Sequence, residues 1–225
     1  KILCLVYTYS PMRYLVRTQA IVWGRQCDGY IAFSNETIPE LGIYQLPTNN
    51  EYSGVEEESY TNMWQKTRRI WKYVHDHFVE DYDYFYISGD DVYLLVNNFR
   101  SYIQNELELL VSDSDSVSVP RHFGSWLPSK SMIAGGPGYT LNKAALQQFF
   151  EITITTTTTT TVNGKGSSSS SSNTSAIWNN CLSNKHASYE DRFMSYCMST
   201  FLGIHGNDTD TRDPTGEQKF HDTDP

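Results

Sequence analysis

The chain has 225 residues, 39% of them hydrophobic, and a formal net charge of −9, which suits one domain with a real core and argues against two. The acidic balance also argues against nucleic acid or an anionic membrane surface as the main partner, because both require a basic face; an anionic substrate would need a local cation. No apolar run approaches the ~20 residues that span a bilayer, so any signal or anchor is expected upstream of Lys1.

Residues 2–8, ILCLVYT, read as a short buried strand; 14–24, YLVRTQAIVWG, as a helix ended by Gly24; and 29–34, GYIAFS, as a second strand. The polar stretch 49–59, NNEYSGVEEES, reads as loop. Between Tyr60 and Glu80, Met63, Thr67, Ile70, Trp71, Val74 and Phe78 recur at helical steps, which predicts a helix laid on a sheet. It feeds a third strand, YDYFYI, at 82–87. The β-α-β-α-β order predicts an α/β fold with a mostly parallel central sheet and helices on both faces. Ligands of such sheets sit beyond the carboxyl ends of the strands, where Gly89-Asp90-Asp91 falls.

Residues 96–110 then read as a helix with Val96, Phe99, Ile103 and Leu107 on one stripe, and 112–120 as loop. HFGSWLPS, 122–129, reads as a polar loop whose Trp126 is a candidate sugar-stacking platform. In 132–151 a Gly-rich turn precedes a short strand and a helix capped by Asn142. The threonine run Thr155–Thr161 and the serine run Ser167–Ser172 have no apolar alternation to bury, so 152–175 reads as a flexible surface insertion in a single domain. A final helix is expected from Ser188, burying Phe193, Met194, Cys197, Met198, Phe201 and Leu202, before a polar tail.

Cys4, Cys27, Cys181 and Cys197 lack zinc-binding spacing. An even count, with sequons at Asn35, Asn173 and Asn207, points to a secretory compartment and structural disulfides. Four cysteines allow three connectivities. Local bridges, Cys4–Cys27 and Cys181–Cys197, are the expectation; the second would clamp the segment before Asp191 to its own helix.

Two adjacent carboxylates at a strand's end are costly unless a cation offsets them. Asp90 and Asp91 therefore read either as a site for Mg²⁺ or Mn²⁺ or as caps of a turn. The surrounding run, WQKTRRIWKYVHDHFVEDYDYFYISGDDVYLLVNNFRSYI, resembles the donor-binding segment of the β-1,3-glycosyltransferase family that includes core 1 galactosyltransferase and Fringe. AGGPGYTLNKAAL, YEDRFMSYCM and TRDPTGEQKFH resemble that family's later blocks in the same order, as does the opening ILCLVYT...AIVWGRQC.

The resemblance implies a GT-A type, Rossmann-like nucleotide-sugar-binding fold, a UDP-sugar donor, Mn²⁺ or Mg²⁺, a glycan or glycoprotein acceptor, and inversion at the sugar carbon. It also implies a Golgi or secretory-lumen setting with a type II anchor outside this chain; a homodimer is a further assembly to test. It assigns metal ligation to Asp91 and His221, donor contacts to Asp90, Lys66, Gly135 and Gly136, the general base to Asp191, and acceptor contacts to Trp126, Tyr139 and Glu190. Where the family carries three acidic residues this chain has Gly89-Asp90-Asp91. That departure keeps a catalytically inactive relative, acting as a chaperone or glycan-binding module, as the alternative. Each assignment also has a plainer reading. Asp191 could close a capping box from Ser188, Lys66 could be a solvated helix cation, His221 an idle tail residue, and the glycines a tight turn. A phosphoryl- or nucleotidyl-transfer enzyme using the Asp pair is a third reading, without a GxxxxGK[ST] run to support it.

Overall fold

A computed structural model describes residues 1–46, 59–104, 119–161, 168–209, 211–213 and 215–220. Its centre is a six-stranded sheet in the order β3-β2-β1-β4-β6-β5, formed by β1 (Ile2–Tyr7), β2 (Gly29–Ser34), β3 (Ile43–Gln45), β4 (Tyr84–Gly89), β5 (His122–Leu127) and β6 (Met132–Asn142). The β1–β2, β1–β4 and β2–β3 pairs are parallel, whereas β6 runs antiparallel to both β4 and β5. The architecture is thus α/β with a mixed, mostly parallel central sheet flanked by helices.

Alternation along β1 explains the layers. Leu3 and Leu5 face one core with Trp64, Trp71, Phe85, Ile87 and Leu141, while Ile2, Cys4 and Val6 face another with Val16, Trp23, Tyr84, Tyr86 and Phe99. Helices α2 (Met63–Phe78), α4 (Lys143–Glu151) and α6 (Glu190–Leu202) supply residues to the first core; α1 (Arg13–Val22) and α3 (Val96–Tyr102) supply the second. A disulfide joins Cys4 to Cys27, and another joins Cys181, just after α5 (Ile177–Asn180), to Cys197 on α6. Asn142 caps α4, its side chain accepting from the Ala145 N–H at 3.0 Å.

Several expectations need correction. HFGSWLPS is no loop: His122–Leu127 is strand β5, and its buried His122, Gly124 and Ser125 disguise it as polar. The short β3 carries too little pattern to be read from sequence. Gly135 to Gly138 belong to β6 and not to a turn before it. In the β5–β6 register Gly124 faces Tyr139 and Ser125 faces Ala134, so the glycine run is an unpaired excursion within one long strand. Strand propensity also prevails in the Thr/Ser tract, where β7 (Thr153–Thr161) pairs antiparallel with β8 (Ser168–Ala176) in a separate two-stranded sheet. The end of the expected helix beyond residue 104 and most of the loop at 49–59 lie outside the described residues.

Candidate functional site at the carboxyl edge of the sheet

Strands β1 and β4 end in register, Tyr7 beside Gly89, and β6 runs back so that its glycine excursion reaches the same edge. The turn after β4 is pinned from α1: the Gln19 amide donates to the carbonyls of Gly89 at 3.1 Å and Val92 at 2.7 Å, and the Trp23 indole N–H donates to Val92 at 3.2 Å. This holds Asp90 and Asp91 at the ends of the parallel strands.

The two aspartates differ in environment. Asp90 is half-buried and accepts the Thr8 hydroxyl at 2.6 Å. Desolvation, then the adjacent Asp91 charge, push its carboxyl above the ordinary range, opposed by the Thr8 bond and the Lys66 charge. Asp91 is exposed at the mouth of a cleft of about 830 Å³ lined by Tyr93, Asn98, Gly136, Pro137 and Gln218 among others. Among the described residues its carboxylate makes no hydrogen bond.

A second carboxylate pair comes from the start of α6. Asp191 is not a capping box residue: its Oδ2 accepts the Gly135 N–H at 2.8 Å and its Oδ1 the Arg192 N–H at 2.7 Å. Glu190 is 5% exposed and accepts the Tyr139 hydroxyl at 2.9 Å, while that hydroxyl accepts the Trp71 indole N–H at 3.2 Å. Burial, followed by Asp191 repulsion, pushes Glu190 up to about 8. Gly135 must be glycine, because a Cβ there would lie 2.9 Å from Glu190 Oε1 and 3.0 Å from Asp191 Cβ. Gly138, at φ +78, also has no room for a side chain, since a Cβ would strike the Tyr86 hydroxyl, which donates to the Pro137 carbonyl at 2.7 Å.

Tyr7 links the two pairs. Burial raises its phenol well above the ordinary value, and Glu190, Asp191 and Asp91 raise it further, so all three carboxylates act on one ring. Its place among these carboxylates escaped the sequence because an aromatic at a strand end looks like core. The usable signal is its place at the carboxyl end of the opening strand, beside Thr8.

The remaining assignments shift accordingly. Lys66 is neither solvated nor turned out towards a diphosphate; it is buried and donates to the Thr8 carbonyl, backing Asp90. Tyr139 is 1% exposed and Glu190 is buried, so neither is presented to an acceptor; the two are joined to each other by the Tyr139 hydroxyl. Trp126 is partly buried, packed against the first core and close to Gly206. Gly135 faces Glu190 and Asp191, whereas Gly136 is exposed in the cleft beside Asp91. His221 lies outside the described residues.

No group of three or more His, Cys, Asp or Glu side chains gathers as a metal cage among the described residues. The exposed, unbonded carboxylate of Asp91 is nevertheless an oxygen donor suited to a hard cation, and positive charge there would offset the repulsion that raises Asp90. Among the described residues no helix is long and apolar enough to cross a membrane.

No protein-family model matches the chain. Over 158 residues, 67% of this chain, it is 25% identical to glycoprotein-N-acetylgalactosamine 3-beta-galactosyltransferase 1 of Xenopus laevis, and the match spans 38% of that protein's length. At this level the chain has distant kinship with a glycosyltransferase.

Proposed function

We propose that this chain carries the donor site and base of an inverting, divalent-metal-dependent glycosyltransferase of GT-A type. It moves a hexose, galactose from UDP-galactose as the first choice, to a 3-hydroxyl of a glycan such as O-linked GalNAc, forming a β-1,3 linkage. The observation that supports this most is that Asp91, after β4, and Glu190 and Asp191, at the start of α6, all act on Tyr7 at the carboxyl edge of the parallel strands. The distant glycosyltransferase relative agrees with it, as do two disulfides suited to a secretory, Golgi-type lumen.

In this reading Asp91, with His221, holds Mn²⁺ or Mg²⁺. The ion supplies stabilisation for the negative charge of the departing diphosphate. The acceptor oxygen attacks the anomeric carbon as the bond to UDP breaks on the opposite face, and the hydroxyl proton passes to Asp191. The Gly135 and Arg192 N–H groups fix the Asp191 carboxylate, leaving further lone pairs to accept that proton. Glu190, kept protonated at neutral pH by burial, spares its neighbour a second negative charge.

A panel of UDP-galactose, UDP-glucose, UDP-GlcNAc and UDP-GalNAc, with and without Mn²⁺ and with a GalNAc-terminated acceptor, tests the reading. Metal-dependent transfer from one donor is expected. Protein that binds no UDP under any metal would leave the inactive, chaperone-like alternative.

A further inference from the structure

Position 89 carries no side chain, and the space above it is shared by Asp91, whose Oδ1 would lie 2.9 Å from a built Cβ, and by a ring from the neighbouring strand. A Cβ built on Gly89 would stand 3.4 Å from Tyr7 Cε2 and 3.8 Å from Tyr7 Cζ, so the Tyr7 ring lies over the residue that leads into the Asp pair. The ring is partly buried against the first core, which fixes its direction. Its hydroxyl makes no hydrogen bond among the described residues, although it is within electrostatic reach of Asp91, Glu190 and Asp191. A phenol set among carboxylates ordinarily donates to one of them. Here it donates to none: Glu190 accepts from the Tyr139 hydroxyl, and Asp191 accepts from the Gly135 and Arg192 N–H groups.

We propose that Tyr7 contacts the transferred hexose: its ring floors the sugar subsite in place of a side chain at position 89, and its hydroxyl hydrogen-bonds a sugar hydroxyl between the metal-side and base-side carboxylates. The inference rests on the glycosyltransferase reading and adds to it a residue that recognises the sugar and not the nucleotide. The ligand class follows from the surroundings. The charges of Asp91 and Asp191 near one phenol repel an anion, whereas a neutral polyol can both donate to carboxylates and accept from the phenol. The phenol acts as a hydrogen-bond donor and need not ionise.

Calorimetric titration of the whole chain with UDP and with UDP-galactose, each in Mn²⁺, separates the two claims. Tyr7→Phe keeps the ring and its packing and removes only the hydroxyl. The variant is expected to bind UDP within about twofold of wild type and UDP-galactose about three- to tenfold more weakly, as befits one net hydrogen bond. A loss shared equally by UDP and UDP-galactose, or no loss for either, overturns the inference and leaves the glycosyltransferase reading in place. Wild-type protein that binds neither ligand overturns both.

Discussion

Asp191 reaches across from the first turn of α6 to take the backbone N–H of Gly135 at 2.8 Å, and the approach is close enough that a methyl group on Gly135 would touch both Asp191 and Glu190. Gly135→Ala therefore has to push α6 away from β6 or turn both carboxylates aside. The expected outcome is a loss of about 1–3 kcal/mol of stability, as for an overpacked interior. Transfer activity should fall more than UDP binding. Chemical denaturation and calorimetry on the same variant check the two parts.

Restoring an acidic residue at position 89 should weaken metal-dependent UDP binding. The backbone there is not left-handed, so strain is not the obstacle. The new Cβ would lie 2.9 Å from Asp91 Oδ1 and against the Tyr7 ring, which drives the Asp91 carboxylate out of place. Gly89→Asp alone should bind UDP with Mn²⁺ several-fold more weakly than wild type. Combined with Tyr7→Ala it should recover part of that loss, a coupling that a double-mutant cycle measures.

Glu190 gives the chain a distinctive pH dependence. Its pKa rises from an ordinary 4.5 to about 8 on folding, so between those values the folded chain holds a proton that the unfolded chain has released. Stability then falls as pH rises from about 4.5 and levels off above about 8. Glu190→Gln preserves an acceptor for the Tyr139 hydroxyl and removes this dependence. The melting temperature of the variant should gain on wild type by several degrees between about pH 5 and about pH 9; parallel melting curves would contradict the burial of an ionisable group there.

Asp91→Asn and Asp191→Asn should separate binding from transfer. The first removes a charge from an exposed carboxylate without opening a cavity, so metal-free melting should barely move while Mn²⁺-dependent UDP binding is largely lost. The second should abolish transfer yet leave Mn²⁺-dependent UDP binding within about threefold of wild type, because the base acts on the acceptor. Equal loss of UDP binding in both variants would show that the two carboxylate pairs act as one metal site.

Replacing residues 155–172 with a short Gly/Ser link should leave the melting temperature and UDP binding near wild type. The base of the hairpin is held by the Thr153–Ala176 and Ile154–Ser175 pairings, and by the Asn180 amide donating to the Ala176 carbonyl at 2.8 Å, all retained in the deletion. Loop closure grows only slowly with length, so the shorter connection changes little. Loss of activity in a soluble, folded deletion would assign the hairpin to the acceptor site.

Apolar patterning made β1, β2, α2 and β4 readable, as short apolar runs in the strands and as helical spacing in α2. It failed at β5, where the buried positions are held by His122, Gly124 and Ser125, and at the glycine excursion, whose membership of β6 depends on partners in β4 and β5. The Asp pair was legible from its place at a strand's carboxyl end. The division of labour within each pair was not: Asp90 is set apart by Thr8, and Glu190 by Tyr139. Both partners are distant in sequence and leave no local pattern. Lys66 looks like a ligand-facing residue by type, and only packing shows it turned inward.

The distance along the chain between the two carboxylate pairs bears on folding order. Asp91 follows the central strand of the first half, whereas Asp191 arrives with one of the last helices, nearly half the chain later. Contacts of such high sequence separation close late, after the local β-α-β units have formed. A fragment ending before α6 could still assemble β1 to β4 and yet would lack the Asp191 contact to Gly135 altogether. Competence at this edge is therefore a property of the fully folded chain, and the Cys181–Cys197 disulfide would keep α6 attached even after a proteolytic cut between Cys181 and Glu190.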